Sequence, residues 1–236
     1  MRANPDTDRI IVNSPSPITL VGAGETGTAE LNDALRLAPR AVAVDGGLAA
    51  LLGADVTPEA ILGDMDSARV PDTLAGRVRV LENQDFPDFD KALAAVRAPL
   101  ILAVGFLGGR LDHQMAVTSG LMRAPGSAVI LLGPRDVAFL CPPALRLDPR
   151  PGTRLSLFPL VPVTVEARGL RWPLEKLALT PAGRLGTSNV AEGPVEVSVD
   201  GPGLMVILPR RCLDIAVTAL AAQPARWPET DAARAR

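Results

Sequence analysis

Three short acidic stretches of this chain carry residue types that could do chemistry together. The first is GDMDS, Gly63 to Ser67, whose Asp64 and Asp66 lie two apart, a spacing that faces one side in an extended backbone and can converge in a turn. The second is NQDFPDFDKAL, residues 83–93, where Lys91 follows Asp88 by three and shares its helix face. The third is GGRLDH, residues 108–113, in which two glycines precede Arg110, Asp112 and His113. Taken singly, each stretch is also what plain structure asks for: Asp and Ser form turns, and Asp88 suits an N-cap. Taken together, they set carboxylates at three points, two of them beside a cation. Oxygen ligands suit a hard divalent cation, and Lys and Arg suit phosphate oxygens. The field of such a cation would offset the repulsion among the acids.

These stretches need elements to position them. From Ile18 the short apolar runs ITLVG, AVAVD, AILGD, VRVLE, LILAVG and AVILLG read as strands. Helical stretches lie between several of them: TAELNDALRLA, DFDKALAAV and LDHQMAVTSGLM. In the first, Leu31, Leu35 and Ala38 recur at i, i+4 and i+7, a helical stripe. Strands apolar on both faces, alternating with helices, predict an α/β domain with a mostly parallel, Rossmann-like sheet over residues 17–134. In such a sheet ligands bind outside the carboxyl ends of the strands, and each acidic stretch follows a strand. From about residue 134 to 209 the runs DVAFLC, ALRLD, TRLSLFPL, VTVEAR, VEVSVD and GLMVILP follow one another without helices. VEVSVD alternates apolar and polar, as a half-exposed antiparallel strand does. Residues 135–212 are therefore read as an all-β domain, a sandwich or a barrel, with residues 1–16 and 224–236 as loose polar tails.

Composition removes several function classes. Lys+Arg 24 against Asp+Glu 26 leaves a net charge of −2, which does not suit a nucleic-acid binder relying on bulk positive charge. Aromatics are 3% with no Tyr, so base-stacking platforms and Tyr acid–base chemistry lack their residues. Two Cys and one His cannot build a zinc site by themselves. The start, MRANPDTDR, has no signal-peptide core, and no apolar run approaches the ~20 residues of a membrane span. A soluble, cytoplasmic protein is expected.

Residues 22–27, GAGETG, form a complete G-x-G-x-x-G between a strand and a helix, with Asp45 about 20 residues on. This is the fingerprint of dinucleotide binding and gives an NAD-dependent oxidoreductase as one hypothesis. It leaves the acidic stretches unexplained, and the same glycines serve a tight strand-to-helix turn.

Six motifs in order resemble the thiamine pyrophosphokinase family: DGG at 45–47, GDMDS at 63–67, QDFPDFDKAL at 84–93, GGRLDH at 108–113, GLRWPL at 169–174 and GTSN at 186–189. One departure is Pro87, where the family usually has Thr. The resemblance implies a homodimer of α/β and β-sandwich domains that moves diphosphate from ATP to thiamine and releases AMP. It implies magnesium on Asp64, Asp66 and Asp88, directly or through water, and phosphate contacts from Lys91 and Arg110. Asp112 is then a further metal contact or a base at the thiamine hydroxyl, and His113 either orients Asp112 or packs. Asp45, Gly46 and Gly47 line the nucleotide side, with Gly22 and Gly24 approaching it more loosely. Trp172 offers a face to the thiamine cation, Thr187, Ser188 and Asn189 offer hydrogen bonds, and the family's thiamine site lies at the dimer interface. Two further readings share the fold: a non-catalytic nucleotide- or thiamine-binding regulator, and a diphosphokinase of another hydroxymethyl heterocycle such as a pterin.

Overall fold

Runs of Val, Ile, Leu and Ala without a polar face form strands that can only be buried on both sides. The computed structural model describes residues 10–63, 69–81, 85–223 and 226–228. It divides at Pro134 and Arg135 into two compact units.

In the first unit the order is β1 (Val12–Asn13), β2 (Ile18–Val21), α1 (Thr28–Leu37), β3 (Arg40–Val44), α2 (Gly47–Gly53), β4 (Ala60–Gly63), β5 (Val78–Val80), α3 (Asp88–Ala95), β6 (Val96–Arg97), β7 (Ile101–Val104), α4 (Leu111–Arg123) and β8 (Val129–Leu132). Six strands pair in parallel in the order β5-β4-β3-β2-β7-β8. β2, β3, β4, β7 and β8 are buried at almost every position, and Leu31 and Ala34 of α1 with Leu48 and Leu51 of α2 pack on them. The buried Thr19 of β2 is satisfied by donating its hydroxyl to the Ala38 carbonyl (2.6 Å). Part of the segment expected to be a loose leading tail is held: β1 pairs with β6, and Arg40 reaches the Ser14 hydroxyl (2.7 Å).

The chain builds β2 to β5 in sequence on one side of β2, then returns through β7 to the other side. The sheet therefore has its switch point between β2 and β7, where the following loops part and a ligand crevice is expected.

The second unit contains β9 (Asp136–Leu140), β10 (Ala144–Leu147), β11 (Arg154–Pro159), β12 (Val163–Leu170), β13 (Leu174–Leu179), β14 (Gly186–Val199), β15 (Leu204–Pro209) and α5 (Leu213–Ala222). All its pairings are antiparallel: β9-β15-β11-β14 in one direction, and β13-β12-β14 with β10 on the other edge of β14. The first half of β14 pairs with β11 and the second half with β12 and β10, so one strand serves both groups. The unit continues past residue 212 into α5. Residues 226–228 are held against it as well: Trp227 Nε1 donates to the Cys141 carbonyl (2.8 Å), and Arg226 donates to the Leu220 carbonyl (2.7 Å) at the end of α5.

Candidate active site

The loops after β2 and β7 meet at the switch point, and glycine decides how closely. The Gly24 N–H donates to the Gly105 carbonyl (2.9 Å), and a Cβ at Gly24 would strike that oxygen. A Cβ at Gly22 would sit 2.6 Å from the Phe106 ring. The first two glycines of GAGETG are thus explained by loop packing against loop, while a Cβ on Gly27 would meet the Glu30 carboxylate in the first turn of α1. Gly46 and Gly47 have the same cause: a Cβ on Gly47 would overlap the Val21 carbonyl, and one on Gly46 would crowd Ala23. Gly22, Gly46 and Gly47 do not line the cavity described next; Gly24 does.

A cavity of about 610 Å³ opens at the carboxyl ends of the parallel strands. It is lined by Asp45 after β3, Gly24 and Glu25 after β2, Phe106 and Gly108 to Arg110 after β7, Pro87 to Phe89 at the start of α3, and His113, Ala116 and Val117 of α4. Asp45, Asp88, Arg110 and Gly24 therefore share one cavity. Asp64 and Asp66 lie outside the described residues. Glu25 escaped the sequence reading because it sits inside the glycine motif, which drew attention to its neighbours. Phe89 and Phe106 escaped it because single aromatics carry no pattern. Their rings pack at 4.8 Å and 57° and give the cavity an apolar wall.

Asp45 is buried and adopts φ 46°, a left-handed conformation that Asp tolerates better than most residues. Its N–H donates to the Leu62 carbonyl (2.8 Å), which ties it to β4. Gly63, at φ 145°, has no Cβ to occupy the space of the Asp45 carboxylate.

Asp88 is the first residue of α3 and not its cap; the N-cap position belongs to Pro87, with extended ψ of 153°. The Pro87 carbonyl accepts from the N–H of Asp90 (2.9 Å) and Lys91 (3.2 Å), so loss of a Thr at this point leaves helix entry intact. Asp88 in the first turn is favoured by the helix dipole. Its carboxylate pairs with the ammonium of Lys91, a side chain 7% exposed that also lies 3.5 Å from the Leu81 carbonyl. Lys91 is not among the cavity's lining residues; its charge holds Asp88 from behind.

Gly108 and Gly109 take φ of 90° and 74°, which turns the chain into α4. Arg110 and Asp112 are exposed and joined by two hydrogen bonds, Nε to Oδ1 (3.2 Å) and Nη2 to Oδ2 (2.6 Å). The Arg110 guanidinium holds the Asp112 carboxyl below its usual range, helped by the backbone N–H of His113 (3.0 Å). The imidazole of His113 does not make that contact; it lines the cavity. α3 and α4 are braced by the buried Asp90, which takes two hydrogen bonds from Arg123.

In the second unit Trp172 is 57% exposed, with the Arg171 guanidinium 5.7 Å from its ring centroid. Thr187 and Ser188 are exposed, and Asn189 is buried. Ser188 adopts φ 60° and donates its N–H to the Ser156 hydroxyl (3.0 Å), beside a register shift between β11 and β14. That irregularity turns two consecutive side chains outward and Asn189 inward. Asn189 is spent on the protein: its amide NH2 donates to the Trp172 carbonyl (2.7 Å), and its Oδ1 accepts from the N–H of Trp172 (3.2 Å) and Val190 (2.8 Å).

Among the described residues no group of three or more His, Cys, Asp or Glu converges to hold a metal ion, and no helix is long and apolar enough to cross a membrane.

Known proteins were compared with this chain. Residues 31–131 match the family "Thiamin pyrophosphokinase, catalytic domain", and residues 144–204 match "Thiamin pyrophosphokinase, vitamin B1 binding domain". Thiamine pyrophosphokinase 2 of Arabidopsis thaliana is 30% identical over 174 residues, 64% of this chain and 65% of that protein. Thiamin pyrophosphokinase 1 of Caenorhabditis elegans is 30% identical over 56% of this chain and 62% of its own length. The chain thus spans just under two thirds of these relatives. Among solved structures, thiamine pyrophosphokinase from Bacillus subtilis superposes with a TM-score of 0.68 at 20% identity, covering 82% of this chain and 98% of that one. Thiamin pyrophosphokinase from Candida albicans gives 0.68 at 17% identity, covering 88% and 98%. At these identities the structures speak for the fold.

Proposed function

We propose that this chain, which belongs to the thiamin pyrophosphokinase family, transfers a diphosphate group from ATP to the hydroxyethyl oxygen of thiamine, giving thiamine diphosphate and AMP. The observation that carries this reading is the cavity at the strand ends: Asp45, Asp88 and Arg110 come from three separate segments and line one space, within the span matched to the catalytic domain.

The thiamine hydroxyl oxygen attacks the β-phosphorus and its proton passes to solvent, the bond from that phosphorus to the α–β bridging oxygen breaks, and AMP leaves with that oxygen. Little covalent work falls to the protein, so positioning and charge stabilisation dominate. Arg110 is exposed at the cavity and offers a guanidinium fork to phosphate oxygens. Lys91 pairs with the Asp88 carboxylate and holds it in place, a role assigned to it here instead of the phosphate contact expected of it. Asp112, held as an anion by Arg110, is a weak base, so of its two expected roles the holding of charge is the better supported. Asp45 is placed for the nucleotide side.

The carboxylate oxygens at this cavity fit a hard cation, and the family's magnesium would be held by Asp88 together with Asp64 and Asp66. When bound it would neutralise phosphate charge and hold the phosphates for in-line attack. Thiamine is assigned to the second unit, a sandwich in which Trp172 supplies the aromatic face and Thr187 and Ser188 the exposed polar groups. A homodimer that brings Trp172 of one chain to the other's cavity completes the proposal.

Incubation with ATP, Mg²⁺ and thiamine should yield AMP and thiamine diphosphate in equal amounts by mass spectrometry. Absence of both products refutes the proposal, and binding of ATP or thiamine with neither turned over would favour the non-catalytic regulator.

A further inference from the structure

We infer that Asn189 is a positioning residue that fixes the main chain of Trp172 and is not itself a ligand-binding group. The inference rests on the reading of Trp172 as the aromatic face for thiamine. It departs from the expectation, drawn from GTSN, that Asn189 hydrogen-bonds the substrate.

The argument is one of hydrogen-bonding capacity. An Asn side chain has two acceptor lone pairs and two donor hydrogens. Both lone pairs of Asn189 Oδ1 are taken, by the N–H groups of Trp172 (3.2 Å) and Val190 (2.8 Å). One amide hydrogen is taken by the Trp172 carbonyl (2.7 Å). The residue is 5% exposed, so the last hydrogen has little access to a ligand. One side chain therefore satisfies both main-chain polar groups of Trp172, much as a neighbouring strand would.

The surroundings make that grip necessary. Trp172 follows β12, and its side chain is largely in solvent, with the Arg171 guanidinium beside the ring. The Arg171 N–H bonds the Val190 carbonyl (2.8 Å) just before it. Gly169, at φ 77°, lets β12 lie so close to Pro194 that any Cβ would overlap the Pro194 carbonyl. Glycine and Asn189 together press the 169–172 segment onto β14. An exposed aromatic offered to a ligand must otherwise be ordered on binding, and fixing one residue's backbone costs about 1–2 kcal/mol, roughly 5- to 30-fold in affinity.

The test uses full-length protein carrying Trp227→Phe, which leaves Trp172 as the sole tryptophan. In this background Asn189→Ala should lower the fluorescence anisotropy of free Trp172, and Asn189→Asp, which keeps both acceptor contacts, should lower it less. In steady-state assays Asn189→Ala should raise the KM for thiamine about tenfold, with kcat and the KM for ATP within about twofold. Added to Trp172→Ala, Asn189→Ala should cost nothing further. A further tenfold loss in that double variant would show direct contact with the substrate and overturn the inference. Unchanged anisotropy in both Asn189 variants would overturn it as well. If Asn189→Ala does not fold, the same two readouts on Asn189→Asp decide. If the parent protein turns over no thiamine, the proposed function fails, and the anisotropy still decides the clasp.

Discussion

The two units hold their candidate ligand groups in opposite ways. In the α/β unit charged groups stand at loop ends and helix starts, and two of them have an opposite charge close by: Asp88 with Lys91, Arg110 with Asp112. In the β unit the candidate group is a neutral indole, held by a buried amide through its main chain. Groups that meet phosphate and metal charge can exchange one ionic partner for another when substrate arrives. A flat aromatic face has no such partner, so its placement must be built into the backbone. The difference teaches that one protein can present charge with adaptable side chains and shape with a rigid strand.

Substitutions that should leave one region working and stop the other sharpen this contrast, and the largest effect belongs to the charged region. Asp66→Asn should cut turnover by orders of magnitude with an unchanged circular-dichroism spectrum, because a metal-assisted transfer depends on that carboxylate. Near-parental turnover at saturating Mg²⁺ would remove Asp66 from the metal set.

The aromatic region should show a smaller and more selective loss. A desolvated cation over an indole is worth about 2 kcal/mol, so Trp172→Ala should weaken thiamine binding about 30-fold, with ATP affinity within about twofold by calorimetry. Mixed dimers of Trp172→Ala and Asp66→Asn subunits, confirmed by native mass spectrometry, should regain activity through the one site that keeps both residues. Inactive mixed dimers would mean that each chain completes its own site.

Smaller still is the effect at the exposed pair. The Asp112 carboxyl titrates below its ordinary value because Arg110 favours the anion. Such a group lends stability above its unfolded pKa and loses it as pH falls through the lower folded value. Arg110→Gln should therefore move the Asp112 titration upward by side-chain carboxyl NMR, with almost no change in Tm, since both groups lie in solvent. A titration that does not move would mean that the pair does not form in solution. Least of all should NADH act: micromolar binding by calorimetry would revive the dinucleotide reading of GAGETG, whose Gly22 and Gly24 let two loops pack closely.

Much of this arrangement was legible in the sequence where a pattern repeats. TAELNDALRLA ends one residue beyond α1, DFDKALAAV one beyond α3, and LDHQMAVTSGLM one short of α4. β13 escaped because LEKLAL mixes charge into a strand with no clean alternation. α5 escaped because an almost wholly apolar helix lacks the polar face that marks a period. At the site, residue type pointed to Asp45, Asp88 and Arg110, which the fold brings to one cavity, since their chemistry is carried on the side chain. It did not show that Lys91 lies outside the cavity's lining or that Asn189 turns to the main chain of Trp172, because which way a polar group turns depends on partners distant in sequence or on a strand irregularity such as that at Ser188.

The central claim is attack on the β-phosphorus of ATP, and ³¹P NMR of the reaction with thiamine and Mg²⁺ tests it most directly. The account predicts that the β and γ signals of ATP give way together to the two resonances of thiamine diphosphate while a single AMP resonance grows at the same rate. The appearance of ADP with thiamine monophosphate would place the attack on the γ-phosphorus and contradict it.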